Sequence, residues 1–259
     1  LNKIWLMFLL LLFIFLGCDD LERDNLLDPK NARGYTDQQI LVELFVNDST
    51  GFDYCEQALI ALEQISESAE FKNRICVIEY HLDLTSVGFS DPLGLAVCND
   101  RYHQYVPNRN DRGVPDAFFN GLTNRVQGAS SMQQIKNHYL EVLNNLTGKK
   151  SYFKIEASKN IVGASIEIEA KIARLGNSGK DDVTVQVVLF DDRGLQGQRN
   201  VVRNIFPAQS IQRINAGEVR TMQFSGNVGE LDNPASVYTL IIIQNQHDVS
   251  KPVYQVVKF

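Results

Sequence analysis

Two periodicities run along the chain, and one gives way to the other near Gly148. Before it, short apolar runs alternate with stretches whose apolar residues recur every three or four positions. "ILVELFV" (Ile40 to Val46) is almost wholly apolar, as expected of a strand covered on both faces. Cys55 to Ser66 carries Ala58, Ala61, Leu62 and Ile65 on one helical face. "ICVIEYH" (Ile75 to His81) reads as a second buried strand. Pro92 at a first helical position, with Asp91 as its cap, predicts a helix running to about Tyr105. "GVPDAFFNG" leads into a short strand, Asn120-Gly121 suits a two-residue hairpin turn, and "LTNRVQG" returns antiparallel. Ser131 and Gln134 form a capping box for a closing helix bearing Met132, Ile135, Tyr139, Val142, Leu143 and Leu146. The predicted order is βαβαββα, in which crossovers join parallel strands and a hairpin with a last helix ends the unit.

After Gly148 the alternation is strict. "ASIEIEAKI" puts Ile166, Ile168, Ala170 and Ile172 on one face and Glu167, Glu169 and Lys171 on the other. "DVTVQVVLF" turns Val183, Val185, Val187 and Leu189 inward, and "VRTMQF", "VYTLIIIQN" and "PVYQVVKF" follow with turn-rich pieces between them. Six or seven short strands in about 110 residues predict an immunoglobulin-like β-sandwich. It has no Cys…Trp…Cys set, because the single Trp is Trp5, so its core is aliphatic and has no disulfide.

The beginning of the sequence, "LNKIWLMFLLLLFIFLGC", has a different character. Lys3 precedes an unbroken apolar run from Ile4 to Leu16. Such a run reaches about 20 Å as a helix, short of the roughly 30 Å hydrocarbon core, and acidic residues follow it. It reads as a cleaved signal. "FLGC" places Gly17 before Cys18 as in a bacterial lipobox, with Phe15 where Leu is usual. Cys18 is then the lipidated mature N-terminus, held in a bilayer by acyl chains such as palmitate. The other option is an ordinary signal with Cys18 incidental. "DDLERDNLLDPKNARGYTD" behind it has no sustained period and reads as a tether. The expected organisation is a signal over 1–17, a tether over 18–38, an α/β domain over 39–148 and a β domain over 149–259.

Charge and motifs narrow the function. Asp and Glu number 31 against 25 Lys and Arg, for a formal charge of −6. Removing Lys3 with the signal makes this −7, and no segment concentrates basic residues, which argues against nucleic acid as a partner. No Gly-rich phosphate loop, G-x-S-x-G or H-E-x-x-H occurs, so no cofactor or metal is expected. Three cysteines follow Cys18, namely Cys55, Cys76 and Cys98. In an oxidising compartment that odd count permits one disulfide and leaves one thiol.

The stretch with most chemistry is "NDSTGFDYCEQALIALEQI" (Asn47 to Ile65). A strand runs into a polar loop, a cysteine and an amphipathic helix, the layout of a thioredoxin-type site. Cys55 holds the second position of the C-x-x-C and Phe52 the first, where the attacking sulfur belongs. A first-turn cysteine gains thiolate character from the helix dipole. Dithiol exchange nevertheless needs both an exposed attacker and a resolving thiol. Three readings of Cys55 stay open: an inert structural residue, a disulfide partner of Cys98, and a monothiol served by a separate resolving partner. Cys76, in the second strand, reads as a small buried hydrophobe. His81 and Asp83 end that strand at the sheet edge where α/β folds place ligands. A metal there needs further ligands, and His103, the nearest, stands at no recognised spacing; a strand-end histidine bonded to its neighbours is the plainer reading. "NDRYHQYVPNRNDRG" is either a solvated loop or a rim that contacts peptide or glycan.

These motifs together resemble a known family. "LVELFVNDSTGFDYCEQALIALE", "VIEYHLD" with "DPLGLAVCNDRY", "GVPDAFFNG", and "NVVRNIFPAQSIQRINAGEVRTMQF" running on to "IIIQNQ" are similar to the twenty-eight-kilodalton outer-membrane lipoprotein family of Bacteroidetes-type bacteria. The resemblance covers nearly the whole chain and implies a thioredoxin-like domain followed by an immunoglobulin-like sandwich. Members often carry "TGxWCGYC" before the first helix; Tyr54-Cys55 matches it and Phe52 departs from it. "GVP" resembles the thioredoxin cis-proline loop, which implies a cis Val114–Pro115 bond where an extended strand is held. The implied address is the cell envelope, at the outer membrane on its periplasmic face or the cell surface. Asp19 and Asp20 favour inner-membrane retention under the enterobacterial rule. The expected function is a membrane-anchored, degenerate thioredoxin-like binding module, with Phe52, Tyr54, Cys55, His81, Val114 and Pro115 around its groove. Its expected partners are the bilayer, through acylated Cys18, and an unidentified protein, peptide or glycan. The alternative is a monothiol thiol-disulfide oxidoreductase or isomerase working through Cys55.

Overall fold

The structure, a computed structural model, describes residues 24–31, 33–49, 53–128, 130–176, 180–228 and 236–259. The apolar run, Cys18 and Phe52 lie outside the described residues. The first half contains β1 (Thr36–Asp37), β2 (Ile40–Val46), α1 (Asp53–Glu67), β3 (Ile75–His81), α2 (Ala96–Tyr105), β4 (Asp116–Phe119), β5 (Asn124–Gln127) and α3 (Met132–Leu146). The second half contains β6 (Lys150–Ser151), β7 (Phe153–Val162), β8 (Ser165–Arg174), β9 (Lys180–Asp191), β10 (Val201–Ile205), β11 (Gln209–Asn215), β12 (Val219–Asn227), β13 (Val237–Gln244) and β14 (Val253–Lys258). An α/β arrangement is thus followed by a β-rich one.

Strand β2 is buried along its whole length because helices cover both of its faces. Val42, Leu44 and Val46 pack with α1 and α3, whereas Leu41 and Phe45 face α2. β3 pairs with β2 in parallel and β4 antiparallel, with β5 returning at the edge. β1 pairs antiparallel with β6, so the two ends of the first half meet.

The same sheet continues into the second half. Its order is β14-β13-β9-β10-β3-β2-β4-β5, with β11 also on β9. The junction is a short parallel pairing of Val201 with Glu79, where Glu79 N–H donates to Asn200 O at 2.9 Å. A separate three-stranded sheet, β12-β8-β7, packs over the far end. Ile166, Ile168, Ala170 and Ile172 are buried against Val183, Val185, Val187 and Leu189, as their alternation predicts. Past Val187, however, β9 is buried on its other face as well. Val188 and Phe190, with Leu240 and Ile242 of β13, join the core beneath α2. The unbroken run in "YTLIII" has the same cause: one face of β13 packs with the three-stranded sheet and the other with the α/β half.

Two local expectations need correction, and one strand was not foreseen. Helix α2 begins at Ala96, not Pro92, with Leu95 at its N-cap and no side-chain cap bond. Asp91 is unavailable as a cap because its carboxylate is committed to other segments. Pro92 and Leu93 form a turn in which Gly94 N–H donates to Asp91 O at 3.0 Å. A Cβ at Gly94 would lie 2.9 Å from Asp83 N, a main-chain approach that only glycine permits. The β4–β5 hairpin forms, but Phe119 pairs with Asn124, so its turn is longer than two residues. It is shaped by docking: Leu122 N–H donates to Ser250 O at 2.8 Å and Val253 N–H to Asn120 O at 3.2 Å. Strand β7 had no clear sequence signal, because its half-buried positions alternate with charged ones at a sheet edge.

Candidate functional site

At the carboxyl edge of β2 and β3, one carboxylate ties three segments together. Asp91 Oδ2 accepts from Asp48 N–H at 2.7 Å and lies 2.9 Å from His81 Nδ1, while Oδ1 accepts from Leu93 N–H at 2.8 Å. Burial alone would raise the Asp91 carboxyl, but the His81 bond and charge and the two main-chain donors hold it below its ordinary value. His81 is therefore a strand-end histidine bonded to a neighbour, and its Nε2 is buried with no partner among the described residues. Asp83 is exposed and accepts from Thr85 N–H at 3.0 Å instead of converging with His81. Among the described residues no group of three or more His, Cys, Asp or Glu side chains is placed to hold a metal.

Cys55 sits in the first turn of α1, where the sequence places it. Its side chain nevertheless points into the core and is 1% exposed. Burial pushes its thiol up to about 12; Asp91 and Asp48 act in the same sense and a main-chain hydrogen bond at Asn47 in the opposite one. Desolvation outweighs the helix dipole here. Cys98 is also free and buried, and burial likewise pushes it up to about 12. The Cys55–Cys98 disulfide is not formed. Cys55 packs under α1 and α3 on one face of the sheet and Cys98 under α2 on the other, so the sheet separates the two sulfurs. Cys76 is a buried free thiol 3.1 Å from Gln39 Oε1.

The Val114–Pro115 bond is cis. Tyr102 braces this loop: its hydroxyl accepts from Gly113 N–H at 3.0 Å and donates to Asp116 Oδ2 at 2.8 Å. Asp116 is fully buried, and Arg125 Nη2 donates to the same oxygen at 2.7 Å. Pro115 is buried, whereas Val114 stays partly open. Val114 N–H and C=O have no hydrogen-bond partner among the described residues. Beside them opens a cleft of about 630 Å3, bounded by the segment after β3 (Leu82, Leu84, Val87, Phe89), α2 and Val114. That volume lies within the range of ligand clefts, about 300–1,000 Å3.

The expected groove residues therefore divide. Val114 lines the cleft, and His81 and Pro115 lie buried behind its wall. Tyr54 is 49% exposed outside it, and Cys55 is in the core. The residues that line the cleft from "NDRYHQYVPNRNDRG" are Asn99, Tyr102, His103, Arg109, Arg112 and Gly113. Sequence reasoning treated this stretch as a block and missed its internal division of labour. It also missed a buried cluster behind the cleft. Arg101 donates through Nε and Nη2 to Glu43 Oε1 at 3.0 and 2.9 Å, and Tyr80 OH donates to the same oxygen at 2.9 Å. Tyr105 OH donates to Glu43 Oε2 at 2.5 Å and accepts from Gln244 Nε2 at 3.3 Å, linking the cluster to β13. The available signal was one Glu inside an otherwise apolar strand.

No protein-family model and no curated protein matches the chain. Among solved structures it is similar to HBP35 of Porphyromonas gingivalis, with a TM-score of 0.64 at 10% identity, covering 86% of this chain and 75% of that one. A domain of the outer membrane lipoprotein Omp28 from Porphyromonas gingivalis aligns over 42% of this chain and 86% of its own, with a TM-score of 0.32 at 17% identity. At such identity the similarity to HBP35 is one of fold, an α/β part joined to a β-rich part.

Proposed function

We propose that the protein is a bacterial envelope lipoprotein, anchored in the outer membrane through acylated Cys18, that binds a partner through a degenerate thioredoxin-like domain. Residues 39–148 make up that domain. Residues 149–259 form an immunoglobulin-like sandwich that buttresses it through the shared sheet. The observation that carries this reading is a contrast between two neighbouring features. The one thiol at the thioredoxin position is buried with its ionisation pushed up to about 12, while the main chain of Val114 is unpaired at an open cleft. At neutral pH a thiol of that kind is ionised on the order of once in a hundred thousand molecules, too rarely to attack. Free main-chain donors and acceptors beside apolar walls suit an added extended segment. The lipobox supports the anchor, and the fold similarity to HBP35 supports the domain pairing.

Three measurements test it. Palmitate incorporation in the producing cell should be lost in Cys18→Ser. Insulin reduction by the purified protein should be absent, and the cleft should bind extended peptides. Steady turnover that disappears in Cys55→Ser would establish the monothiol reading in its place.

A further inference from the structure

The cleft reverses the charge of the molecule around it. The chain as a whole is acidic, at −6, yet the charged side chains facing the cleft are Arg109 and Arg112, with His103 also in the lining. No Asp or Glu stands among the described residues that line it. Among the described residues, neither arginine forms an ion pair with a carboxylate. Arg112 donates through Nε to Val106 O at 2.7 Å and through Nη2 to Pro107 O at 2.8 Å, so main-chain carbonyls aim it. The exposed guanidinium of Arg109 has no hydrogen bond or ion pair among the described residues. Carboxylates nearby in the chain are used elsewhere: Asp83 by Thr85, Asp111 by Asn108 and Asp116 by Arg125. Asp100 acts on His103, but Arg112 and burial act against it.

The same cleft also has apolar lining. Val87 is 51% and Phe89 39% exposed, and Leu84 and Val114 line the cleft with them. A ligand matching this lining carries an anionic group and a large apolar one. An extended chain satisfies this, since its side chains alternate and its backbone can pair with Val114.

We infer that the occupant is an extended peptide segment of a partner protein in which a carboxylate side chain neighbours a large apolar one. The apolar residue packs on Val87 and Phe89, and the carboxylate meets the guanidinium of Arg109, with Arg112 adding its positive charge. A planar guanidinium recognises a carboxylate with two parallel hydrogen bonds, so the arginine edge selects for acid as well as attracting it. This inference rests on the peptide-binding reading of the cleft.

Fluorescence polarisation with detergent-solubilised full-length protein tests it. The probes are labelled peptides of about eight residues in which Phe and Leu alternate with Glu, with Gln or with Lys. The Glu peptide should bind about tenfold more tightly than the Gln peptide, the worth of a charge-assisted hydrogen bond. The Lys peptide should bind weakest, and added salt should erode the preference. Arg109→Ala, at an exposed side chain with no partner to lose, should cost the Glu peptide about threefold and leave the Gln peptide unchanged. Arg109→Glu should shift preference toward the Lys peptide. Equal binding of the Glu and Gln peptides overturns the acidic specificity while leaving a peptide cleft intact. If none of the three peptides binds, or only a neutral oligosaccharide does, both this inference and the reading beneath it fall.

Discussion

Arg101 and Glu43 form an ion pair that is almost wholly removed from water, with Nη2 and Oε1 2.9 Å apart and side-chain exposures of 4% and 1%. It lies between β2 and α2, and Tyr80, Tyr105 and, through Tyr105, Gln244 complete the hydrogen bonding. Removing either charge alone strands the other in the core. Arg101→Ala and Glu43→Ala should each lower unfolding free energy by about 3–5 kcal/mol in urea titration. The double replacement should cost clearly less than the sum of the two. Additive losses would show that the pair is not coupled.

Glu79 makes stability depend on pH. It lies at the parallel junction of the two halves, where Oε1 accepts from Asn200 N–H at 3.2 Å and Oε2 has no partner among the described residues. Burial raises its carboxyl from 4.5 to about 8, against main-chain bonds from Asn200 and Arg199 that lower it, while Glu63 raises it further. The folded state thus holds the proton more tightly than the unfolded chain does. This contribution is complete below pH 4.5 and is lost as pH rises through about 8. Unfolding free energy from denaturant titrations should fall across that window, by an amount on the order of a few kcal/mol. Glu79→Gln, which stays uncharged, should flatten the profile; a wild-type-like slope in that variant rules the assignment out.

Native-state alkylation offers a check on the cysteines. Cys55, Cys76 and Cys98 are free and buried, each with its thiol pushed up to about 12 by burial. Iodoacetamide at neutral pH should leave all three unmodified over hours and label them only on unfolding. Rapid labelling of Cys55 alone would contradict its place in the core. Cys55→Ala should cost about 1 kcal/mol, the loss of one small buried group.

Gly121 should tolerate no side chain. Its φ is +107°, and a Cβ would lie 2.5 Å from Lys251 O. Gly121→Ala should therefore destabilise by more than about 1 kcal/mol and loosen the β4–β5 turn from the β13–β14 turn. Hydrogen exchange at Leu122 and Val253, whose amides bridge the two turns, reports this directly. Unchanged protection at both would mean the docking survives a substitution that sterics forbid.

The candidate site was partly readable before the structure. Cys55 stands in the first turn of α1 and Val114–Pro115 is cis, as the spacing and the "GVP" resemblance imply. The depth of Cys55 was not readable, because it is set by residues of α3 such as Ile135 and Tyr139, far along the chain. Glu43 was visible as a charge in an apolar strand, but its partner lies 58 positions later, on a predicted helix whose polar residues carry no mark of burial. Asp91 had the right residue type for a helix cap and was used as a staple, since His81 and Asp48 compete for the same oxygens.

Element type and inward face are local properties. They follow from side-chain periods of about 3.6 and 2, which is why the βαβαββα order and strands β8, β9, β12, β13 and β14 were legible in the sequence, whereas β7, β10 and β11 were not. The run "LVELFV" also announced burial on both faces. What covers the second face is a long-range matter. Only tertiary structure joined Glu79 to Val201, carried one sheet through both halves, and placed α2 against β9 and β13. An apolar side chain records that it leaves water without recording which neighbour receives it, because burial is non-directional.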